Sequence, residues 1–206
     1  MNSTTFWYIT RASGIVALVL LTLTMILGLT TASRLRTRQW PGFAQQELHR
    51  RASMLSMIFL SIHVLTSVLD TYVHIGWLAI VVPFTSPYGR FWVATGAVAL
   101  DLMVAVFVTS LLRARIRPTT WRAIHWVAYA CWPIALLHTF GMGTDSRERW
   151  VIVLGVLSVL SVGAALLGRI IVSRGQSPER SQPGMKATSA RRLVSTSSTR
   201  GRIRDQ

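Results

Sequence analysis

The chain is short of most of the residues that enzymes and soluble domains rely on. It has one cysteine, Cys131, which excludes an internal disulfide, a Cys-rich zinc site and a cysteine-ligated iron–sulfur cluster. Lying in the middle of an apolar run, Cys131 is most simply a small buried residue. Acidic residues number 7 against 22 basic ones, and no pairing of them suggests an acid–base couple or an activated nucleophile. The Gly-x-Gly at Gly141 to Gly143 has no following glycine and no strand–helix context, so it is not a dinucleotide site. No internal repeat is present.

Apolar residues are what the chain does have. They make up 51% of its 206 residues, and the mean hydropathy of +0.44 places it in the membrane class. A helix needs roughly 20 apolar residues to cross a hydrocarbon core of about 30 Å. Five segments reach that length: Trp7 to Thr31, Gln46 to Asp70, Phe91 to Leu112, Trp121 to Phe140 and Trp150 to Ile171. The run from Thr71 to Phe84 is too short and broken to span, and with Tyr72, Trp77, Pro83 and Pro87 nearby it reads as an interfacial segment. Within the first segment an apolar run follows Arg11 and ends in small residues near Ala32 and Ser33, as a signal peptide would. It is longer than the apolar part of a signal peptide and lacks an A-x-A site, so a retained span is expected. The sequence thus predicts an all-α integral membrane protein, a bundle of five transmembrane helices.

Under five spans, all basic residues except Arg11, Arg90, Arg147 and Arg149 fall on one side. The positive-inside rule then places the N-terminus outside and the C-terminus in the cytoplasm, as expected for a cell membrane protein. The net charge of +15 follows mostly from topology, and nucleic-acid binding need not be invoked. From Arg174 onward the chain is rich in Ser, Thr, Gly, Pro and Arg, so a membrane domain over residues 1–173 and a disordered basic tail over 174–206 are expected. Attraction to anionic lipid headgroups is the simple role for that tail, with docking of a cytoplasmic electron donor as the alternative.

Four histidines carry the functional signal. His49 and His63 are 14 residues apart in the second segment, a separation of about 40° in angle and about 21 Å in rise on a straight helix. Ser53, Ser56 and Leu60 lie between them, a strip that suits either a flat macrocycle or a close helix contact. His125 and His138 are 13 apart in the fourth segment, and ideal geometry sets them about 140° out of phase. Pro133 lies between them, and a kink there would restore the phase. Both segments run outward from the basic side, so His49 with His125 and His63 with His138 fall at matched depths. Alone, a membrane histidine reads as a helix–helix hydrogen bond or part of a proton path. Four at two levels point instead to two stacked haems, each held by two imidazoles. Without a C-x-x-C-H motif, such haem is non-covalent.

The stretches H-R-R-A-S-M-L-S-M-I-F-L-S-I-H, His49 to His63, and H-W-V-A-Y-A-C-W-P-I-A-L-L-H, His125 to His138, resemble the transmembrane domain of the ferric reductase and NADPH oxidase superfamily. That superfamily includes the haem subunit of the bacterial periplasmic methionine sulfoxide reductase. The resemblance covers roughly Trp7 to Ile171. It implies one-electron transfer across the bilayer from a reduced flavin or quinol, through two b-type haems with His49, His63, His125 and His138 as axial ligands, to an acceptor. Full ferric reductases and oxidases usually have six core helices and a C-terminal flavin and nicotinamide domain. This chain reads as five spans and a tail, so dependence on a separate redox partner protein is expected, either a flavoprotein or a periplasmic reductase.

Other polar groups leave alternatives open. Asp101, mid-span, suits a proton or quinone role or a packing role equally. Asp70 and His74 form either an outer acceptor site or an ordinary interfacial pair. Arg11 on the outer side, and Arg50, Arg51 and Arg122 on the inner side, either neutralise haem propionates or snorkel to headgroups. A non-redox scaffold or small transporter with a polar helix interface is the competing function, and it predicts a colourless protein.

Overall fold

The structure is a computed structural model that describes residues 3–32, 41–70, 73–143, 146 and 148–175. Tyr72, Arg147, the basic residues Arg34, Arg36 and Arg38 and the predicted disordered tail beyond Gly175 lie outside the described residues, while Arg174 and Gly175 of that tail are helical. The described residues are helical, without strands: α1 (Ser3–Ala32), α2 (Gly42–Leu69), α3 (Arg90–Leu111), α4 (Pro118–Trp126), α5 (Ala128–Met142) and α6 (Arg149–Gly175). Residues 1–172 form one compact unit and residues 173–206 a second, of which only the end of α6 is described.

Four helices, α1, α2, α3 and α6, are long and apolar enough to cross a membrane, and the protein is multi-pass. Their large side chains face outward: Val19, Leu23, Ile58, Val108, Leu157 and Ile171 are exposed, as a lipid-solvated surface requires because backbone groups are satisfied within each helix. Small residues face inward. Ala17, Ala52, Ser56, Ala94, Ala97 and Cys131 are buried, and they let the backbones approach closely where lipid offers no hydrophobic drive to association. α1 packs along α2, α3 against α5, and α1 also touches α5. Polar links tie these pairs. The Thr10 hydroxyl donates to Thr66 Oγ1 (2.8 Å), Trp132 Nε1 donates to Thr22 Oγ1 (3.0 Å), and Cys131 Sγ donates to the Ala99 carbonyl (3.3 Å). α6 joins through Val162, which packs with Leu29 and Trp132, and through Arg169 Nη1, which donates to the Tyr129 hydroxyl at 2.7 Å.

The fourth predicted span is not one helix. It is divided at Val127 into α4 of 9 residues and α5 of 15, neither long enough alone to cross a membrane. Pro118 opens α4, where a proline's fixed φ and missing N–H cost nothing. Pro133 lies inside α5, which runs on through it. The irregularity expected at Pro133 therefore sits six residues earlier. A proline ring clashes with the carbonyl four residues before it, here that of Tyr129, so the disturbance is displaced toward the N-terminal turns. Around Val127 the bonds tighten to three-residue spacing, with Val127 N to Ile124 O and Ala130 N to Val127 O both 2.9 Å. Such winding turns the chain by about 120° per residue instead of about 100°, in the direction needed to bring His125 and His138 toward a common side.

The segment before α3 carries a 3₁₀ turn at Trp77–Ile80, with Trp77, Leu78, Val81 and Phe84 exposed. Gly89 adopts φ 50° and ψ 38° immediately before α3, a left-handed conformation that glycine takes without strain.

Candidate functional site

α2 and the α4–α5 arm bring the four histidines into two facing pairs. The ring centres of His49 and His125 are 6.3 Å apart with planes inclined by 66°. Those of His63 and His138 are also 6.3 Å apart, inclined by 81°. An imidazole nitrogen binds a metal at about 2 Å, so two rings on opposite sides of one metal have centres about 6 Å apart. Both pairs have the spacing that a shared metal would set. Among the described residues no group of three His, Cys, Asp or Glu side chains could hold a metal ion. Each pair thus presents two imidazoles, one from α2 and one from the α4–α5 arm.

Backbone carbonyls orient three of the four rings. His49 Nδ1 lies 3.0 Å from the Thr24 carbonyl, His63 Nδ1 2.8 Å from the Thr10 carbonyl, and His138 Nδ1 2.7 Å from the Trp92 carbonyl. A carbonyl only accepts, so each of these Nδ1 atoms carries the proton, and in the neutral ring Nε2 is left with a free lone pair. Between the two α2 histidines, Ser56 Oγ donates to the Ala17 carbonyl at 3.5 Å. Residues 49, 56 and 63 of α2 thus reach carbonyls 24, 17 and 10 of α1, a ladder with a rung every seven residues. A seven-residue repeat holds one seam between two supercoiled helices. It removes the 40° drift that a straight helix would impose between His49 and His63.

The His49/His125 level is built differently. Among the described residues His125 Nδ1 has no hydrogen-bond partner, nor do the buried Trp121 Nε1 and Thr24 Oγ1. The His125 ring stacks instead on Trp121, with centres 4.9 Å apart and planes inclined by 24°, and the Arg113 guanidinium carbon stands 4.5 Å from the centre of the Trp121 ring. Arg50, Arg51 and Arg122, the residues expected here, are exposed. Arg51 pairs with Glu47 at 2.7 Å and Arg122 Nε donates to the Pro118 carbonyl at 3.2 Å, each along its own helix.

A cavity of about 300 Å³ opens between α1, α2, α3 and α5 around His63 and His138, walled by Gly14, Ala17, Ser56 and Gly96 among others. Arg11 and Asp70 both line it. Arg11 also lies over Trp7, its guanidinium carbon 4.1 Å from the ring centre. Asp70 is buried at the end of α2 while His74 is exposed and is not part of the cavity wall. Asp101 is half-buried on α3 and also outside the wall, which takes Leu100 and Met103 from that helix.

Sequence reasoning missed the residues that seat the rings. A Cβ on Gly14 would stand 2.8 Å from His63 Nδ1, one on Gly28 3.4 Å from His49 Cε1, and one on Gly96 2.6 Å from His138 Cε1. The signal was present in part, because Gly14 and Gly28 repeat on α1 the 14-residue interval of His49 and His63 on α2. Trp121 and Arg113 carried no comparable sign.

A family model described as "Ferric reductase like transmembrane component" matches residues 13–137, more than half of the chain. The match includes His49, His63 and His125 and stops one residue short of His138. No curated protein and no solved structure matches the chain.

Proposed function

The chain belongs to the ferric reductase-like transmembrane components, and from that membership we propose that it carries electrons across a cell membrane through two non-covalent b-type haems. His49 and His125 ligate the haem nearer the basic end of the bundle, and His63 and His138 the one nearer the other end. The observation that carries this reading is the repeated 6.3 Å separation of ring centres in both pairs, with Nδ1 of three of the four rings already engaged by a backbone carbonyl.

Haem, when bound, supplies at each level an iron that takes up and gives up one electron. The protein's residues do the rest. Two neutral imidazoles per level would hold the iron without leaving a charge in the membrane. The carbonyls of Thr10, Thr24 and Trp92 fix the tautomer and raise ligand basicity, which favours the oxidised iron. Gly14, Ala17, Ser56, Gly96 and Ala97 leave room for a flat macrocycle, and Arg11 on the wall of the same cavity offers a cation to a propionate. Along α2 the two ligand levels are separated by about 21 Å of helix rise.

In this reading α4 and α5 together make the fourth of five crossings, so that residues 1–173 form the membrane domain, with the N-terminus outside and the basic C-terminal side in the cytoplasm. The electron donor is a flavin or quinol of a separate partner, and the acceptor lies on the far side. The test is a dithionite-reduced minus oxidised spectrum of the detergent-purified protein, with haem per chain from the pyridine haemochrome. We expect a b-type spectrum and two haems per chain. We also expect His63→Ala and His138→Ala each to lose the same haem, and His49→Ala and His125→Ala each to lose the other. A colourless protein from haem-sufficient cells would favour the scaffold or transporter reading.

A further inference from the structure

Each ring bonded to a carbonyl also rests on a glycine, and in all three cases the glycine lies four residues after the residue that supplies the carbonyl: Thr10 and Gly14 for His63, Thr24 and Gly28 for His49, Trp92 and Gly96 for His138. The interval has a physical reason. In an α-helix the carbonyl of residue i points toward the N–H of residue i+4. It keeps a second lone pair free, but the side chain of residue i+4 stands beside that lone pair. A glycine there uncovers it for a donor from a neighbouring helix.

The two contacts also tighten together. For His138, His63 and His49 the Nδ1 to carbonyl distances are 2.7, 2.8 and 3.0 Å, and the closest approaches of a hypothetical glycine Cβ to the ring are 2.6, 2.8 and 3.4 Å. His125 has neither contact. Among the described residues its Nδ1 has no hydrogen-bond partner, its ring is not among the atoms nearest Gly14, Gly28 or Gly96, and it stacks on Trp121.

We propose that Gly14, Gly28 and Gly96 are ligand-positioning residues, each baring the carbonyl four residues before it so that a histidine of the adjacent helix is held with Nδ1 bonded and Nε2 aimed at iron. His125 has no such seat, and its haem has one carbonyl-anchored ligand where the other haem has two. The proposal rests on the two-haem reading and adds to it the residues that set ligand orientation at each level.

The experiment compares Gly14→Ala, Gly28→Ala and Gly96→Ala with Gly163→Ala in the full chain. Gly163 is the control, since a Cβ there meets nothing within 4 Å. Each variant is purified in detergent and checked for a monodisperse folded peak, and its haem content, haem affinity and the two reduction potentials are measured. A Cβ at Gly14 or Gly96 displaces the ring from its carbonyl. Loss of an outer hydrogen bond to a metal ligand weakens binding by 10–100-fold, so the affinity for the His63/His138 haem should fall at least about tenfold. Its potential should rise as the ligand becomes less basic, while the other haem is unchanged. Gly28→Ala, with the loosest contact, should move only the His49/His125 haem and by less, and Gly163→Ala should move neither.

A merely packing role would lower stability without selecting one haem. The seats are overturned if folded Gly14→Ala or Gly96→Ala has wild-type potentials and affinity, or if both haems change alike. Should those two variants fail to fold, Gly28→Ala decides by whether it moves the His49/His125 haem alone. A wild-type protein with no haem would overturn the haem reading and the ligating purpose of the seats with it, whereas haem that is present but unmoved overturns the seats only.

Discussion

Trp121 lies against His125 with ring centres 4.9 Å apart and planes only 24° from parallel. This stack stands where the other three histidines have a backbone carbonyl. A ring stack constrains tilt but leaves rotation within the plane, so the two faces of the His49/His125 level are held by unlike forces, a directed hydrogen bond on one side and dispersion on the other.

Removing the stack should therefore act on one haem. An aromatic pair is worth about 0.5–1.5 kcal/mol beyond its buried area, and a tenfold change in a one-electron equilibrium corresponds to about 59 mV. Trp121→Ala is expected to shift the potential of the His49/His125 haem by tens of millivolts and broaden its spectrum, with the His63/His138 haem unmoved. Trp121→Phe keeps a ring against His125 and should stay near wild type. A spectroelectrochemical titration in which both haems respond equally to Trp121→Ala would contradict this assignment.

Under the two-haem proposal, the inclination of the paired histidine rings gives a second expectation. The planes cross at 81° in the His63/His138 pair and at 66° in the His49/His125 pair. Near-perpendicular imidazoles donate into two different iron orbitals of π symmetry and leave them close in energy, whereas parallel rings split them. Frozen-solution EPR of the oxidised protein should show low-spin signals with large, strongly anisotropic g maxima, larger for the His63/His138 haem. His63→Ala should abolish the larger signal. A single rhombic envelope characteristic of parallel rings would show that the ligand planes turn when haem enters.

Asp101 is open to a direct check. A carboxylate in mid-helix is costly in a membrane, and proximity to a haem would explain it. In the structure α3 lines the His63/His138 cavity with Leu100 and Met103, three residues apart and on one side of the helix, while Asp101 is rotated about 100° from Leu100 and is not part of the wall. Asp101→Asn should leave both haem potentials and the haem content unchanged. A displaced potential would bring Asp101 back as a group coupled to haem reduction.

Much of this architecture was legible in the residues, for reasons that mark where legibility ends. Apolar length identified α1, α2, α3 and α6, because a lipid-solvated helix must be apolar over its whole crossing. The interval from His49 to His63 read correctly as one face, and the structure adds the cause, a seven-residue ladder against α1 with Ser56 as its middle rung. The interval from His125 to His138 did not read from ideal geometry, since the helix breaks at Val127 and winds more tightly there, and no single residue type announces that. The glycine contacts were legible only in the 14-residue interval of Gly14 and Gly28, and the rest was hidden for another reason. Gly96 matters only through the Trp92 carbonyl and a histidine on a different helix, and one chain read in order gives no sign of which helices meet.

The link between α1 and α5 allows a stability prediction independent of any cofactor. Trp132 Nε1 donates to Thr22 Oγ1 at 3.0 Å, and the Thr22 hydroxyl in turn donates to the Leu18 carbonyl at 2.8 Å. Both residues are buried, so Thr22→Val, which keeps the shape, strands the indole N–H. Orphaning a buried donor costs about 1–3 kcal/mol in soluble proteins, while helix–helix hydrogen bonds in membranes average about 0.6 kcal/mol. The donor here sits in the helix interface beside Leu29 and Val162, where lipid cannot re-pair it, so a loss of about 1 kcal/mol and a lower thermal midpoint in detergent are expected. Trp132→Phe removes the donor but also part of the packing. In the double variant the Thr22→Val penalty should largely vanish, since no N–H remains to be stranded. Midpoint losses that simply add across the two substitutions would show that this bond does not hold α5 to α1, and the alignment of His138 with His63 would then rest on the glycine seats and the small-residue packing alone.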